Sequence, residues 1–143
     1  MLATPFIARL AADSGVLQGF PLQDVEVTLT GAAWREGASK PFAYKVATAD
    51  AVRDAAGRAK PVLLEPIMRL ELSVPNDHLG GILGALDARR GAVLDVAERG
   101  AAVKVIAAEA PLRRMFGFAT ELRSLTQGRA LFTMNFDRYD AAG

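Results

Sequence analysis

From Ile67 onward the apolar and polar positions fall into a repeating order. Met68, Leu70, Leu72 and Val74 alternate with Ile67, Arg69, Glu71 and Ser73, the period of a strand with one apolar face. Pro75 then opens a helix with Leu79, Ile82, Leu83 and Leu86 as its inner stripe, and Gly91 ends it. Gly80, Gly81 and Gly84 lie inside that helix. Each weakens it by roughly 1 kcal/mol relative to alanine, a cost that makes sense if the glycines let the helix lie close on a sheet. Apolar runs at 92–97 and 102–109 flank Glu98-Arg99-Gly100-Ala101, a hairpin signal. Pro111 is expected to open a second helix, with Leu112, Met115, Phe116, Ala119, Leu122 and Leu125 on or beside its buried face. Gly128 stands where a helix-ending glycine belongs. A last strand places Phe132, Met134 and Phe136 on one face and Thr133, Asn135 and Asp137 on the other.

Strand, helix, strand, repeated once, predicts an α+β domain over 67–143: a ferredoxin-like βαββαβ fold with both helices on one face of an antiparallel sheet. Arg69, Glu71, Ser73, Thr133, Asn135 and Asp137 then occupy the other face, which is either solvated or packed on another domain. The first sixty residues are less regular and read as an incomplete α/β domain. Thr4-Pro5 starts a helix with Phe6, Ile7, Leu10 and Ala11 as its stripe and Gly15 as its stop. Val25, Val27 and Leu29 alternate with Glu26, Thr28 and Thr30 and predict a half-buried strand. A loop over 31–41 precedes a helix over 42–56, and the two prolines between Lys60 and Pro66 predict an extended connection.

Composition narrows the function classes. Of 143 residues, 51% are hydrophobic, which suits a packed core, and the formal net charge of +1 means that any nucleic-acid contact needs local clusters of arginine. With no cysteine there is neither a disulfide nor a thiolate metal site. No run of eighteen apolar residues predicts a membrane span, and the N-terminus lacks the basic start of a signal peptide. A cytoplasmic location is expected.

Several motifs, in order, resemble the C-terminal part of bacterial elongation factor G. Gly117-Phe-Ala-Thr-Glu-Leu-Arg-Ser-Leu-Thr-Gln-Gly-Arg129 resembles the end of that factor, and Asp87-Ala-Arg-Arg-Gly91 and Pro111-Leu-Arg-Arg-Met-Phe-Gly-Phe-Ala-Thr120 resemble other motifs of its fifth domain. Gly15-Val-Leu-Gln-Gly-Phe-Pro-Leu-Gln-Asp-Val25 is similar to a fourth-domain segment, and Ala59-Lys-Pro-Val-Leu-Leu-Glu-Pro-Ile-Met68 to the junction between the two. The resemblance implies a partial fourth domain over 1–60, a linker over 61–66 and a fifth domain over 67–143. It also implies a ribosome-interacting portion of a GTP-dependent translocation factor, with partners in large-subunit rRNA, the stalk base and, less directly, the small-subunit decoding region. No membrane or DNA partner is implied. Nothing here fits G-x-x-x-x-G-K-[ST]. GTP and Mg²⁺ are therefore expected in the missing GTPase domains of a full-length parent, with no cofactor, metal or catalytic residue in this chain. The fourth domain is expected to begin midway, leaving 25–29 with an open edge. Its tip loop, Gly31 to Pro41, has Trp34 near the place where the family usually carries histidine. A diverged relative of elongation factor G is the preferred explanation.

The candidate rRNA contacts implied by the resemblance are Arg89, Arg90, Arg123, Gln127 and Arg129. The ordinary reading of Arg89 and Arg90 is a favourable interaction with a helix C-terminus, worth ~0.3–1 kcal/mol. Arg113 and Arg114 are read mainly as surface charges. In the tip loop the candidates are Trp34, Arg35 and Lys40, since aromatic rings and guanidinium planes stack on bases. The bland alternative has Trp34 packed on the next helix or simply exposed. His78 has no cysteine or second histidine beside it and reads as a partly exposed helix residue. Two other functions fit the fold alone: an acylphosphatase-like enzyme using an arginine and an asparagine, although Asn76 and Asn135 are far apart in the pattern, and a ligand-sensing or oligomerisation module.

Overall fold

The alternation around Leu70 and Leu72 builds one of the two inner strands of the one sheet among the described residues. The computed structural model describes residues 3–37 and 39–143, in two units, Met1–Leu63 and Leu64–Gly143. In the second unit, β1 (Leu64–Pro75) pairs antiparallel with β3 (Val103–Pro111) and with β4 (Leu131–Ala141), and β2 (Ala92–Glu98) pairs with β3. The strand order is β2-β3-β1-β4. With α3 (Leu79–Ala88) after β1 and α4 (Phe118–Thr126) after β3, this is the ferredoxin-like α+β fold.

Register decides which side chains meet. Leu70 lies opposite Ala108 and Met134, and Leu72 opposite Ile106 and Phe132. These positions therefore share the face that the helices cover. Leu70, Leu72, Val74, Ile106, Ala108 and Ala110 are buried there against Ile82, Ala85 and Leu86 of α3 and Phe118 and Leu122 of α4. Each large side chain removed from water contributes about 1.5–3 kcal/mol. Phe118 also meets Phe132 edge to face, ring centroids 5.5 Å apart, a favoured geometry for aromatic quadrupoles.

The structure corrects several sequence expectations. β1 begins at Leu64, so the last three residues of the expected extended connection, Leu64 to Pro66, are strand. Pro66 pairs only with β4, near the strand start where a missing N–H is tolerated. The glycines of α3 do not mark a close approach: a Cβ added at Gly80, Gly81 or Gly84 would meet nothing within 4 Å. Pro111 opens a short 3-10 turn, Leu112–Arg114, and α4 begins only at Phe118. The break is Gly117, left-handed at φ 78. As a result Met115 and Phe118 turn inward while Phe116 is 75% exposed, and Leu125 is also exposed. The left-handed residues that close the two helices are Arg90 (φ 57) and Gln127 (φ 53), each followed by glycine. Gly91 donates its N–H to Leu86 and Gly128 donates to Arg123, the six-to-one bond that closes a helix in a Schellman motif.

In the first unit, α1 (Ala3–Ser14) and α2 (Pro41–Arg58) pack on each other and bury Ala11 and Val52. The side chains of Phe6, Ile7 and Leu10, expected in the stripe of α1, lie outside the described residues. Gly15 ends α1 as expected: it is left-handed at φ 54, and a Cβ there would sit 1.7 Å from the Phe20 carbonyl oxygen. The strand expected at 25–29 is absent. The segment pairs with no other strand, and Val25, Val27 and Leu29 are all exposed. Alternation shows which face a strand would bury but cannot supply a neighbour for its backbone.

Candidate nucleic-acid interface

Cationic and acidic side chains between Leu64 and Gly143 are equal in number. An RNA-binding surface on this unit must therefore come from how the charges are sorted, and the fold sorts them sharply. On the sheet face away from the helices, Arg69 bonds Glu109 at 2.9 Å and approaches Asp137 at 3.5 Å. Arg138 bonds the same two acids at 2.9 and 2.6 Å. The hydrogen bonds to Glu109 and Asp137, with their charges, hold the Arg138 guanidinium above its ordinary value against the effect of burial. Arg138 comes to this face at a β-bulge: the register shifts between Ile67 and Met68, so that Arg138 lies opposite Ile67 while Phe136 lies opposite Met68, and the extra residue re-aims the side chain. These two arginines are used within the sheet.

Arg89 is likewise committed inside the domain. It caps the end of α3, and its Nε and Nη2 donate to one oxygen of Glu121 on α4, at 3.0 and 2.6 Å. Its Nη1 donates to the carbonyls of Arg114 and Phe116, at 2.6 and 3.2 Å. The guanidinium carbon lies 5.6 Å from the centre of the Phe118 ring, within cation–π range. Arg89 thus ties α3, the turn after β3 and α4 together. Arg113, read from sequence as a surface charge, grips the carboxylate of the buried Glu65 at 2.5 and 3.2 Å and the Gly143 carbonyl.

At the other end of the helical layer, Arg129 follows α4 and bonds Asp77 at 3.2 Å, His78 Nε2 and the Thr126 carbonyl. A guanidinium only donates, so His78 accepts there. Burial pushes the Asp77 carboxyl up, but the hydrogen bond and the charge of Arg129 outweigh this and hold it below its ordinary value. Of the sequence candidates, then, Arg89 and Arg129 are tied into the fold. Arg90, Arg123 and Gln127 are exposed and make no side-chain bond within it. Arg114 and Arg99 are also exposed cations with no ion partner. The candidates do not form one patch. Arg89 and Arg90 lie with Arg114 where α3 ends and α4 begins, whereas Gln127 and Arg129 lie where α4 ends beside Asp77 and His78.

The first unit's loop is shaped by its own bonds. The Arg35 N–H donates to Ser39 Oγ at 2.6 Å, Ser39 N–H returns a bond to the Arg35 carbonyl at 2.9 Å, and the Tyr44 hydroxyl donates to the Ala33 carbonyl at 3.3 Å. Trp34 does not pack on α2; it is 70% exposed. Arg35 and Lys40 are exposed beside it, with no ion partner. Asn76 donates to the Ala101 carbonyl at 3.2 Å, which pins the β2–β3 hairpin, so it does not join an arginine in an anion site. Among the described residues no group of acids and histidine is placed to hold a metal, and no helix is long and apolar enough to cross a membrane.

The family pattern described as the elongation factor G C-terminus matches residues 62–143, all of the ferredoxin-like unit. The chain belongs to the elongation factor G family. It is a translation-factor chain, and its ferredoxin-like unit is an elongation factor G C-terminal domain. A crystal structure of a protein from Thermus thermophilus superposes with a TM-score of 0.84 at 33% identity, over 99% of this chain and 21% of that one. The chain thus spans about a fifth of that protein's length.

Of the residues that sequence reasoning misplaced, Phe116 is the one a local signal could have corrected. Its signal was Gly117: a glycine between two aromatics lets the chain reverse, so Phe116 and Phe118 need not share a face.

Proposed function

We propose that this chain is the ribosome-contacting portion of an elongation factor G-like GTPase and acts as a docking lever. The observation that carries this reading is the family membership of residues 62–143. Arg90, Arg114 and Arg123 contact rRNA phosphates of the large subunit near the stalk base, aided by the amide of Gln127. Arg89 and Arg129 hold the helix ends that present them. Guanidinium groups suit this task because their fork donates two bonds to a phosphate. Trp34, Arg35 and Lys40 in the first unit are the part that reaches toward the small-subunit decoding region. GTP and Mg²⁺ are bound by a GTPase domain elsewhere in a longer cytoplasmic protein. In this reading the present chain binds neither and catalyses nothing.

Pelleting with purified bacterial large ribosomal subunits over a salt series tests this. Release of condensed counterions makes log affinity fall with log salt, by roughly 0.7–0.9 per phosphate neutralised. The parent chain is expected to bind with a slope of about −2 to −3, and Arg90→Ala combined with Arg123→Ala is expected to flatten it by about 1.5. Binding with no salt dependence would remove the rRNA-contact reading.

A further inference from the structure

We propose that the loop from Arg114 to Gly117 is a base-stacking platform: Phe116 stacks on an unpaired RNA base, and Arg90 and Arg114 hold the phosphates on either side. This rests on the ribosome reading above and adds an interaction chemistry and a named residue to it.

The loop is built to present a ring. Met115 and Phe118 on either side of the tip are buried, while Phe116 is 75% exposed. The reversal between them requires Gly117 at φ 78. The carbonyls of Arg114 and Phe116 both accept from Arg89, whose other nitrogens are fixed on Glu121. The tip therefore has bonds at its own backbone and cannot fold the ring inward without breaking them. A large ring held in water by a rigid loop is unfavourable for the isolated domain, which points to a partner that covers it.

Charge selects the partner. Arg114 precedes the tip by two residues, and Arg90 adjoins the arginine that grips the tip. Both are exposed with no side-chain partner. The acids at this end are already neutralised, Glu121 by Arg89 and Glu65 by Arg113. Asp87, on α3 shortly before Arg90, is the unpaired acid nearest in the chain. Arg90 is moreover held in the left-handed conformation at φ 57, which is costly for a residue with a Cβ. An exposed ring two residues after Arg114, on a tip bonded to Arg89, the chain neighbour of Arg90, matches a base with its flanking phosphates, because every base has a π-face and every linkage a negative charge.

The test uses the full chain and purified bacterial large subunits at fixed low salt. Phe116→Ala is expected to weaken pelleting about tenfold or more, Phe116→Leu by as much, and Phe116→Trp hardly at all. Thermal melting of the three variants is expected to match the parent, because the ring is exposed. Leucine binding as well as phenylalanine would overturn stacking in favour of an apolar protein contact. A photoreactive benzoylphenylalanine at position 116 is expected to crosslink to rRNA, and crosslinks to ribosomal protein alone would overturn the proposal. If Phe116→Ala binds like the parent with the same salt slope, the stacking fails while ribosome docking stands. If the parent chain does not bind, both fall.

Discussion

Replacing Arg89 with alanine separates a structural arginine from a binding one. The side chain is 24% exposed and its partner Glu121 40% exposed, so solvent screens the ion pair and its share is about 0.2–1 kcal/mol. The stacked guanidinium over Phe118 adds roughly 0.5–1 kcal/mol. The bonds to the carbonyls of Arg114 and Phe116 face water, and their loss is largely made good by hydration. The expected destabilisation is therefore about 1–2 kcal/mol in all. Amide hydrogen exchange at Leu70 and Leu72 in β1 is the assay, since it reads the ferredoxin-like unit by itself. Exchange there is expected to speed by about five- to thirtyfold if it proceeds through global opening. Arg89→Lys should recover little, because an ammonium cannot span a carboxylate and two carbonyls in one plane. The salt slope of ribosome pelleting is expected to stay within about 0.3 of the parent, against a drop of roughly 0.7–0.9 for a residue that neutralises a phosphate. Unchanged exchange together with a slope reduced by a full contact would refute this reasoning and restore Arg89 as a phosphate ligand.

Other changes follow from the same geometry. Gly81→Ala and Gly84→Ala should each stabilise the unit by about 1 kcal/mol, since a Cβ at either position meets open space; lower thermal stability in either variant would contradict this. Arg90→Gly should also stabilise by about 1 kcal/mol, relieving a left-handed residue, yet weaken ribosome pelleting, so opposite signs in melting and binding are expected from one substitution. Hydrogen bonding by Lys104 and its charge hold the Glu98 carboxyl below its ordinary value, and Asp77 is held low as well. A depressed carboxyl contributes stability that is present above its unfolded value, about 4, and lost as pH falls through its folded value. Melting temperature should therefore drop below about pH 4, and Glu98→Gln combined with Asp77→Asn should flatten that part of the profile.

The strands were legible because their signal is local. Leu70, Leu72 and Val74 are two residues apart, and the sheet needs only that spacing to bury them. The same signal failed at Val25, Val27 and Leu29, where the pattern is present and the neighbouring strand is not. The second helix was misread because Pro111 is a good helix start and Gly117 a stronger break, and the left-handed glycine decided where α4 begins. The roles of the arginines were least legible. Arg89 and Glu121 are separated by 32 residues and Arg113 and Glu65 by 48. No spacing rule connects such pairs; only the folded sheet brings them together. The arginines that remain without partners become recognisable only after the pairs are known.

That pairing bears on binding even though the paired residues touch no ligand. A unit with equal numbers of cations and acids has no net field to draw a phosphate from a distance. What it has is short-range sorting. At the meeting of α3 and α4, Arg89 and Arg113 each cover a carboxylate that would otherwise repel a phosphate, and they leave Arg90 and Arg114 without an ion partner. Within a Debye length of about 8 Å, the neighbouring charge matters more than the total. A structural ion pair therefore has two effects at once here: it fixes the loop, and it removes a negative charge from the place where RNA is expected to dock. In the proposed docking, this is how a chain of net charge +1 would meet a phosphate without a broadly basic surface.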